Sequence, residues 1–298
     1  MYQQNSPALL KTTHRHVSAD QLMVHVAALN ASHEQEVVEF LSQRPIHTVG
    51  MVGFINDNGL VSPLNRGTFY GCRNRKGQLE GVALIGHATL LETTTDRATE
   101  ALAEMAQICT NAHMIMGEKE RIDDFWDYYA DAGQHMRHAC RELLFELKWP
   151  VEALAEVPEL RLATPADLEL IVPIHAQMAF AESGINPLER DPEGFRQRCA
   201  RRIEQGRTWV WTEAGQIIFK ADVASDTSSV IYLEGVWTNA DHRSQGYGLR
   251  CMSQLARTLL TRTKSLCVLV NENNKEAHKF YQRGGYKLRS IYDTIFLN

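Results

Sequence analysis

The chain predicts an α/β (α+β) protein of two successive domains, each a mixed, mostly antiparallel twisted sheet flanked by helices. Three observations carry this. At 298 residues the chain exceeds what one small core usually serves. Helical and strand periodicities run through a similar order twice. Between the two runs lies a proline-bounded acidic stretch, Trp149 to Pro158, which divides residues 1–150 from 159–298.

In the first half the apolar spacing predicts helices near 19–31 and 34–43, then a glycine-punctuated stretch. Strands follow at Gly67 to Cys72 and Leu79 to Ile85, around the turn Arg73-Asn-Arg-Lys-Gly77, and at Ala88 to Glu92. A helix near 95–109, a strand at His113 to Met116, a helix over Glu120 to Ala132 and a strand at Glu142 to Lys148 complete it. The aromatic run Phe125 to Tyr129 reads as helix packing in preference to a binding platform.

The second half opens with a short strand at Leu160 to Ala163 and a helix start at Thr164-Pro165, with proline at the first helical position. Helices near 166–182 and 192–205 precede strands at Thr208 to Thr212 and Gln216 to Val223, joined by a turn at Glu213-Ala-Gly215. The next strand, Val230 to Thr238, is β-branched and aromatic, and it runs into a glycine turn followed by a helix. That helix spaces Leu249, Met252, Leu255, Ala256, Leu259 and Leu260 along one face. Leu266 to Val270 reads as a buried strand.

The turn Arg243-Ser-Gln-Gly246-Tyr-Gly248 is an address for a phosphorylated cofactor. Gly246 and Gly248 lack a Cβ, so a diphosphate can approach the backbone where the free N–H groups and positive end of the new helix face it. A P-loop needs Lys followed by Ser or Thr after the glycines, and none follows. A dinucleotide fingerprint needs a third glycine, where this chain has Cys251. What remains is R-x-x-G-x-G. Downstream, Asn274, Ala277, Tyr281, Gly285 and Tyr286 match N-x-x-A-x-x-x-Y-x-x-x-G-[FY]: an asparagine that caps a helix, an alanine that lets it sit close, a glycine that ends it and a tyrosine that opens the last strand.

With these two motifs, residues 159–298 resemble the GNAT (GCN5-related N-acetyltransferase) superfamily. The resemblance implies direct transfer of an acetyl group from acetyl-CoA to an amine, with acetyl-CoA as donor substrate and no metal. It implies that the backbone of Val236 and Thr238, with Trp237 between them, pairs with the pantetheine arm. Arg243, Ser244, Gln245, Gly246, Tyr247 and Gly248 would cradle the pyrophosphate, with Asn274 at the start of the following helix. Ser244 stands where relatives commonly have glycine. Arg243 has an alternative reading as a surface ion-pair residue. A main-chain N–H near Val236 to Thr238, where two strands splay apart, would polarise the thioester carbonyl. Tyr281 stands where the family's tyrosine protonates the departing thiolate, against an alternative role in the core.

Glu234 enters the same site. Simple alternation puts Glu234, Val236 and Thr238 on one face and Leu233, Gly235 and Trp237 on the other. A buried glutamate there would have a raised pKa suited to a general base; the second reading is a carboxylate paired with Lys220 or Arg250. Cys251 has no ordered His and Asp partners and reads as core. The loop Ala179 to Glu189 offers Phe180, Glu182 and Glu189 to a cationic amine, or is an ordinary exposed loop. Asp222 and Lys220 are weaker candidates.

The first half resembles the GNAT-like N-terminal domain of tandem acetyltransferases. Between Leu91 and Leu102 it has no glycine and carries three acidic residues, which would repel a pyrophosphate, so it is expected to be a scaffold or substrate-shaping wall. The net charge of −5 without a Lys/Arg block argues against nucleic acid as a partner; His14-Arg15-His16 is the nearest approach to a basic cluster and reads as a solvated strand or loop. Six scattered cysteines without C-x-x-C point to reduced thiols in the cytoplasm. Neither a leader nor an 18-residue apolar run is evident, so no membrane association is expected. The partner is a small-molecule or peptide amine; its identity, the acyl length and any homo-oligomeric state are open. A catalytically silent acyl-CoA-binding regulatory module is the competing function.

Overall fold

The computed structural model describes residues 23–298. His14-Arg15-His16 and the opening of the first expected helix lie outside the described residues. The N-terminal half runs β1 (His25–Ala28), α1 (Glu34–Leu41), α2 (Pro45–Asn58), β2 (Gly67–Arg73), β3 (Leu79–Gly86), β4 (Ala88–Thr93), α3 (Asp96–Gln107), β5 (Met114–Glu118), α4 (Lys119–Tyr129), β6 (Met136–Leu147). The C-terminal half repeats that order with one short extra helix, α6: β7 (Arg161–Leu162), α5 (Leu168–Ser183), α6 (Pro187–Arg190), α7 (Pro192–Glu204), β8 (Thr208–Glu213), β9 (Gln216–Asp226), β10 (Val230–Thr238), α8 (Tyr247–Leu259), β11 (Ser265–Asn271), α9 (Lys275–Arg283), β12 (Lys287–Leu297).

The twelve strands among the described residues form one mixed sheet, ordered β1-β2-β3-β4-β5-β12-β6-β11-β10-β9-β8-β7. The order shows an exchange. Each half's last strand is bonded to the fifth strand of the other half: β12 pairs with β5 and β6 pairs with β11, both antiparallel, while β6 and β12 pair with each other at the centre. The inner residues Leu144, Phe145, Leu147, Ile295, Phe296 and Leu297 are buried, so the seam between halves is itself core.

Helix ends follow their capping residues. Thr164 and Asp167 form a capping box ahead of α5, with Arg161 holding Asp167 through bonds of 2.8 and 2.9 Å. Gly184 (φ +71°) ends α5, and Asp191 caps α7 by accepting from the Gly194 N–H at 3.0 Å. On one face of the C-terminal sheet, α8 and α9 cover a core that includes Leu233, Cys251, Leu255 and Tyr281. On the other, α5 and α7 bury Ile171, Val172, Cys199 and Ile203. Phe125 and Tyr129 of α4 are likewise buried.

Two N-terminal elements differ from expectation. Residues 25–28 are a strand, not part of a helix over 19–31: His25 to Ala28 pair with Arg73 to Tyr70, and Val24 and Val26 pack on the core beneath α3. Cross-strand pairing overrides the helical preference of the neighbouring alanines. The glycine-punctuated stretch contains α2, whose Gly50 and Gly53 face packing partners. A Cβ on Gly53 would lie 2.6 Å from the Ser225 side chain of β9, whereas one on Gly50 would meet only Leu90, at 3.5 Å.

This close approach, with Arg207 paired to Asp57 at 2.5 Å and Arg201 donating to Asn58 at 2.8 Å, docks α2 on the C-terminal sheet. Gly53→Ala should therefore cost about 1–3 kcal/mol by overpacking, while Gly50→Ala should be neutral or stabilise by up to about 1 kcal/mol through helix propensity. Denaturant unfolding of the two variants checks the pair; equal effects would contradict this packing.

Candidate active site

The site is built where β10 parts from β11. The two strands pair in parallel from Val230↔Ser265 to Leu233↔Val268 and then diverge, although β10 continues to Thr238 and β11 to Asn271. At the same point β10 carries a bulge: Glu234 faces Asp222 and Trp237 faces Lys220, so Gly235 and Val236 together oppose Ala221. Gly235 adopts φ +59°.

The extra residue overturns the simple alternation. Leu233 and Val236 turn to the core under α8, and the Thr238 hydroxyl lies beside the start of α8; Trp237 packs on the α5/α7 core and Glu234 reaches Arg202 of α7. Glu234 is thus on the face opposite Val236 and Thr238. Its partner, Arg202 at 2.6 Å, is neither Lys220 nor Arg250, and it is about a third exposed instead of buried. Arg250 donates to the carbonyls of Ala155 and Glu156.

After β10 the chain makes a short turn capped by Asn239, then passes through Ser244 (φ +59°) and Gly246 (φ +82°) into α8. Gly246 is the N-cap, and a Cβ there would meet nothing within 4 Å, so space above it is open. Gly248 is different: a Cβ would lie 2.9 Å from Thr238 Oγ1 and 3.2 Å from the Phe280 ring, so this glycine allows the close packing of α8 on β10 and α9. Arg243 donates Nε to the Thr238 carbonyl at 3.0 Å and has no carboxylate partner among the described residues, and Gln245 ties to the Asp241 carbonyl at 3.0 Å. Tyr247 packs edge-on to Trp211. A helix start with open space above Gly246 and a guanidinium nearby could hold a diphosphate.

Asn274 caps α9 by accepting from the Ala277 N–H at 3.1 Å. Tyr281, on that helix, is 7 % exposed and stacks among Phe145, Phe280 and Tyr286. Burial raises its pKa, and its hydroxyl makes no hydrogen bond to a described residue. The ring is therefore part of the core.

On the opposite face Lys220 and Asp222, weak candidates from the sequence, belong to a charged network that also takes in His175 and Arg202. Lys220 and Asp222 are fully buried on β9 and paired with each other. Asp222 also accepts from Thr208 Oγ1 at 2.7 Å and contacts His175 Nε2 of α5 at 2.7 Å, while Lys220 Nζ donates to the Gly235 carbonyl at 3.1 Å. Burial opposes the charge on Asp222, but Lys220, His175 and Arg202 outweigh it and hold the carboxyl far below the usual range. His175 is pushed below its ordinary value by burial and by Lys220.

Beyond this network, Glu182, in the last turn of α5, is exposed to solvent yet closely surrounded by protein. Burial, then the charges of Glu142 and Glu234, push its pKa up to about 7. Glu142 comes from β6, a strand of the N-terminal half; it is buried, accepts from Thr294 Oγ1 at 2.8 Å, and has a pKa raised by burial. Phe180 is exposed and Glu189 is bonded to Asn186, so of the loop's three candidates Glu182 is the one that approaches the other carboxylates.

The N-terminal half has the same divergence of strands and a different filling. Parallel pairing of β4 with β5 stops at Thr89↔Ile115. Beyond it, Arg121 donates to the Thr93 carbonyl and pairs with Glu92 at 3.1 Å; Arg44 bridges Glu92 at 3.2 Å and Glu118 at 2.5 Å. The turn into α3 has no positive-φ residue, is tied to β3 through Thr94 N–H to the Glu80 carbonyl at 2.8 Å, and places Asp96 in the first turn. Ion-paired Arg44, Glu92, Glu118 and Arg121 thus line the hollow at this divergence and give it carboxylates where the other half has the glycine turn.

A family model described as FR47-like protein matches residues 223–295, the segment from the end of β9 to β12. No curated protein matches the chain. Among solved structures, a GNAT-family acetyltransferase from Colwellia psychrerythraea is similar with a TM-score of 0.60 at 12 % identity, covering 93 % of this chain and 100 % of its own. A GCN5-related N-acetyltransferase from Sphaerobacter thermophilus gives 0.56 at 12 %, covering 94 % and 96 %. A tandem GNAT protein from the clavulanic acid biosynthesis pathway gives 0.55 at 13 %, covering 92 % and 98 %. The fold is thus the α/β sheet-and-helix fold of the GNAT superfamily. In this chain it is built twice in tandem, with the FR47-like segment in the C-terminal half. Among the described residues no helix is long and apolar enough to cross a membrane.

Proposed function

We propose that the C-terminal half is an acetyl-CoA-dependent N-acetyltransferase and that the N-terminal half is a degenerate copy without a donor site. The observation that carries the reading is the divergence of β10 and β11 beside the Arg243–Gly248 turn with its positive-φ Ser244 and Gly246, set against the carboxylate-lined, ion-paired divergence of β4 and β5, whose turn into α3 has no positive-φ residue and carries Asp96.

In this reading the edge of β10 at Val236 to Thr238 pairs with the pantetheine arm as an added strand. The amides around Gly246 and the Arg243 guanidinium hold the diphosphate. The Val236 N–H, next to the bulge, polarises the thioester carbonyl. An amine that arrives protonated gives up a proton, attacks the carbonyl carbon, and expels the CoA thiolate, which takes a proton from Tyr281. For the base, Glu182 is better suited than Glu234: its pKa is about 7, whereas Glu234 is engaged by Arg202. The acceptor enters between α5 and the N-terminal half, beside Glu142.

Release of CoA over a panel of amines tests this. Turnover should rise with pH through about 7, since only the Glu182 carboxylate accepts a proton, and Glu182→Gln should flatten that rise. Tyr281→Phe should lower kcat on the order of 10²-fold with acetyl-CoA affinity unchanged. Tight acetyl-CoA binding without turnover of any amine would instead favour a silent acyl-CoA-binding module.

A further inference from the structure

A fully buried lysine is rare, and its burial needs compensation. Lys220 is fully buried, and an apolar pair in place of Lys220 and Asp222 would serve stability as well or better. The position of its ammonium suggests what the charge is for. Nζ lies 3.1 Å from the Gly235 carbonyl oxygen, at the bulge. The Gly235–Val236 peptide is trans, so its C=O and its N–H point in opposite directions. Fixing the oxygen on Lys220 turns the Val236 N–H away from the buried network, and an ammonium on the oxygen polarises the whole peptide and strengthens its N–H as a donor.

The packing around this peptide is close. A Cβ on Gly235 would lie 2.5 Å from Asp222 Oδ2 and 2.9 Å from Lys220 Nζ, and the residue's φ of +59° suits glycine. Asp222 is in turn held by Thr208 and His175, so the ammonium is anchored from β8, β9 and α5 together. We infer that Lys220 is a positioning residue for acyl transfer: from inside the protein it orients and polarises the Gly235–Val236 peptide, whose N–H acts on the thioester carbonyl. The inference rests on the acetyl-transfer reading, and it extends the site to a residue that touches neither substrate.

The test is isotope-edited infrared spectroscopy of acetyl-CoA, labelled with carbon-13 at the acetyl carbonyl, bound to the full chain. Bound to wild type, the carbonyl stretch should fall below its value free in solution. In Lys220→Met it should return toward the free value, with acetyl-CoA affinity within about threefold and kcat on any accepted amine lower by about tenfold or more. Lys220→Met/Asp222→Asn, which leaves no unpaired carboxylate, should do the same and serves if the single variant fails to fold. A wild-type shift that survives in variants that bind acetyl-CoA overturns the role of Lys220 alone. Failure of wild type to bind acetyl-CoA overturns the acetyl-transfer reading and this inference with it.

Discussion

Gly246→Asp is expected to weaken acetyl-CoA binding by at least about 100-fold while the protein remains folded. The open space above Gly246 means that no neighbour has to move, and the left-handed backbone, φ +82°, adds only about 1 kcal/mol of strain. The loss comes from charge: a carboxylate at the N-terminus of α8 occupies the region of positive potential that a diphosphate needs. Like charges brought together in a binding site cost several kcal/mol, and about 1.4 kcal/mol is a factor of ten. Gly246→Ala separates the contributions, since it keeps the backbone strain without the charge and should cost only about fivefold. Titration calorimetry with acetyl-CoA measures both; equal losses in the two variants would show that backbone geometry, not charge, governs the loop.

The second large effect concerns stability. Asp222→Ala should destabilise the fold by about 3–5 kcal/mol, the range for breaking a buried ion pair from one side. The carboxylate is sealed from solvent between Lys220, Thr208 and His175, and its removal leaves an ammonium whose other hydrogen bond among the described residues is to the Gly235 carbonyl. Lys220→Met/Asp222→Leu should recover most of the loss, because it leaves no buried charge unpaired. Equilibrium unfolding in urea distinguishes the cases. A cost below about 1 kcal/mol for Asp222→Ala would mean that water reaches the pair and that it is not the sealed network described above.

What could be read from the sequence was local. The strand, glycine turn and helix from Val230 to Leu259, and the Asn274-capped α9, follow from neighbouring residues alone, and the structure has them where periodicity and capping put them. The exchange of β6 and β12 was not legible. Glu142 to Lys148 reads as an apolar strand whichever half it joins, and its partner Leu266 is more than a hundred residues away. Gly50 and Gly53 hid α2, because glycines that let a helix approach a sheet look the same in sequence as glycines that break one. The face of Glu234 was misread for a related reason: alternation holds until a bulge adds a residue, and the isolated Gly235 within an apolar strand was the available sign.

The charged network was hidden differently. Lys220 and Asp222 stand two apart in an apolar strand, which puts them on one face, but a strand in isolation does not say whether that face is solvent or core. His175 and Arg202 sit on separate helices and carry no spacing signal toward them. Glu142 comes near Glu182 because strand exchange brings β6 beside β11.

The central claim is that one half of the chain binds the acyl donor and the other, with ion-paired carboxylates and no glycine turn in the equivalent place, does not. Isothermal titration of acetyl-CoA into the full chain tests it most directly through stoichiometry. One molecule should bind per chain in wild type and none with appreciable affinity in Gly246→Asp. Two molecules per chain, or one that persists in Gly246→Asp, would contradict the account.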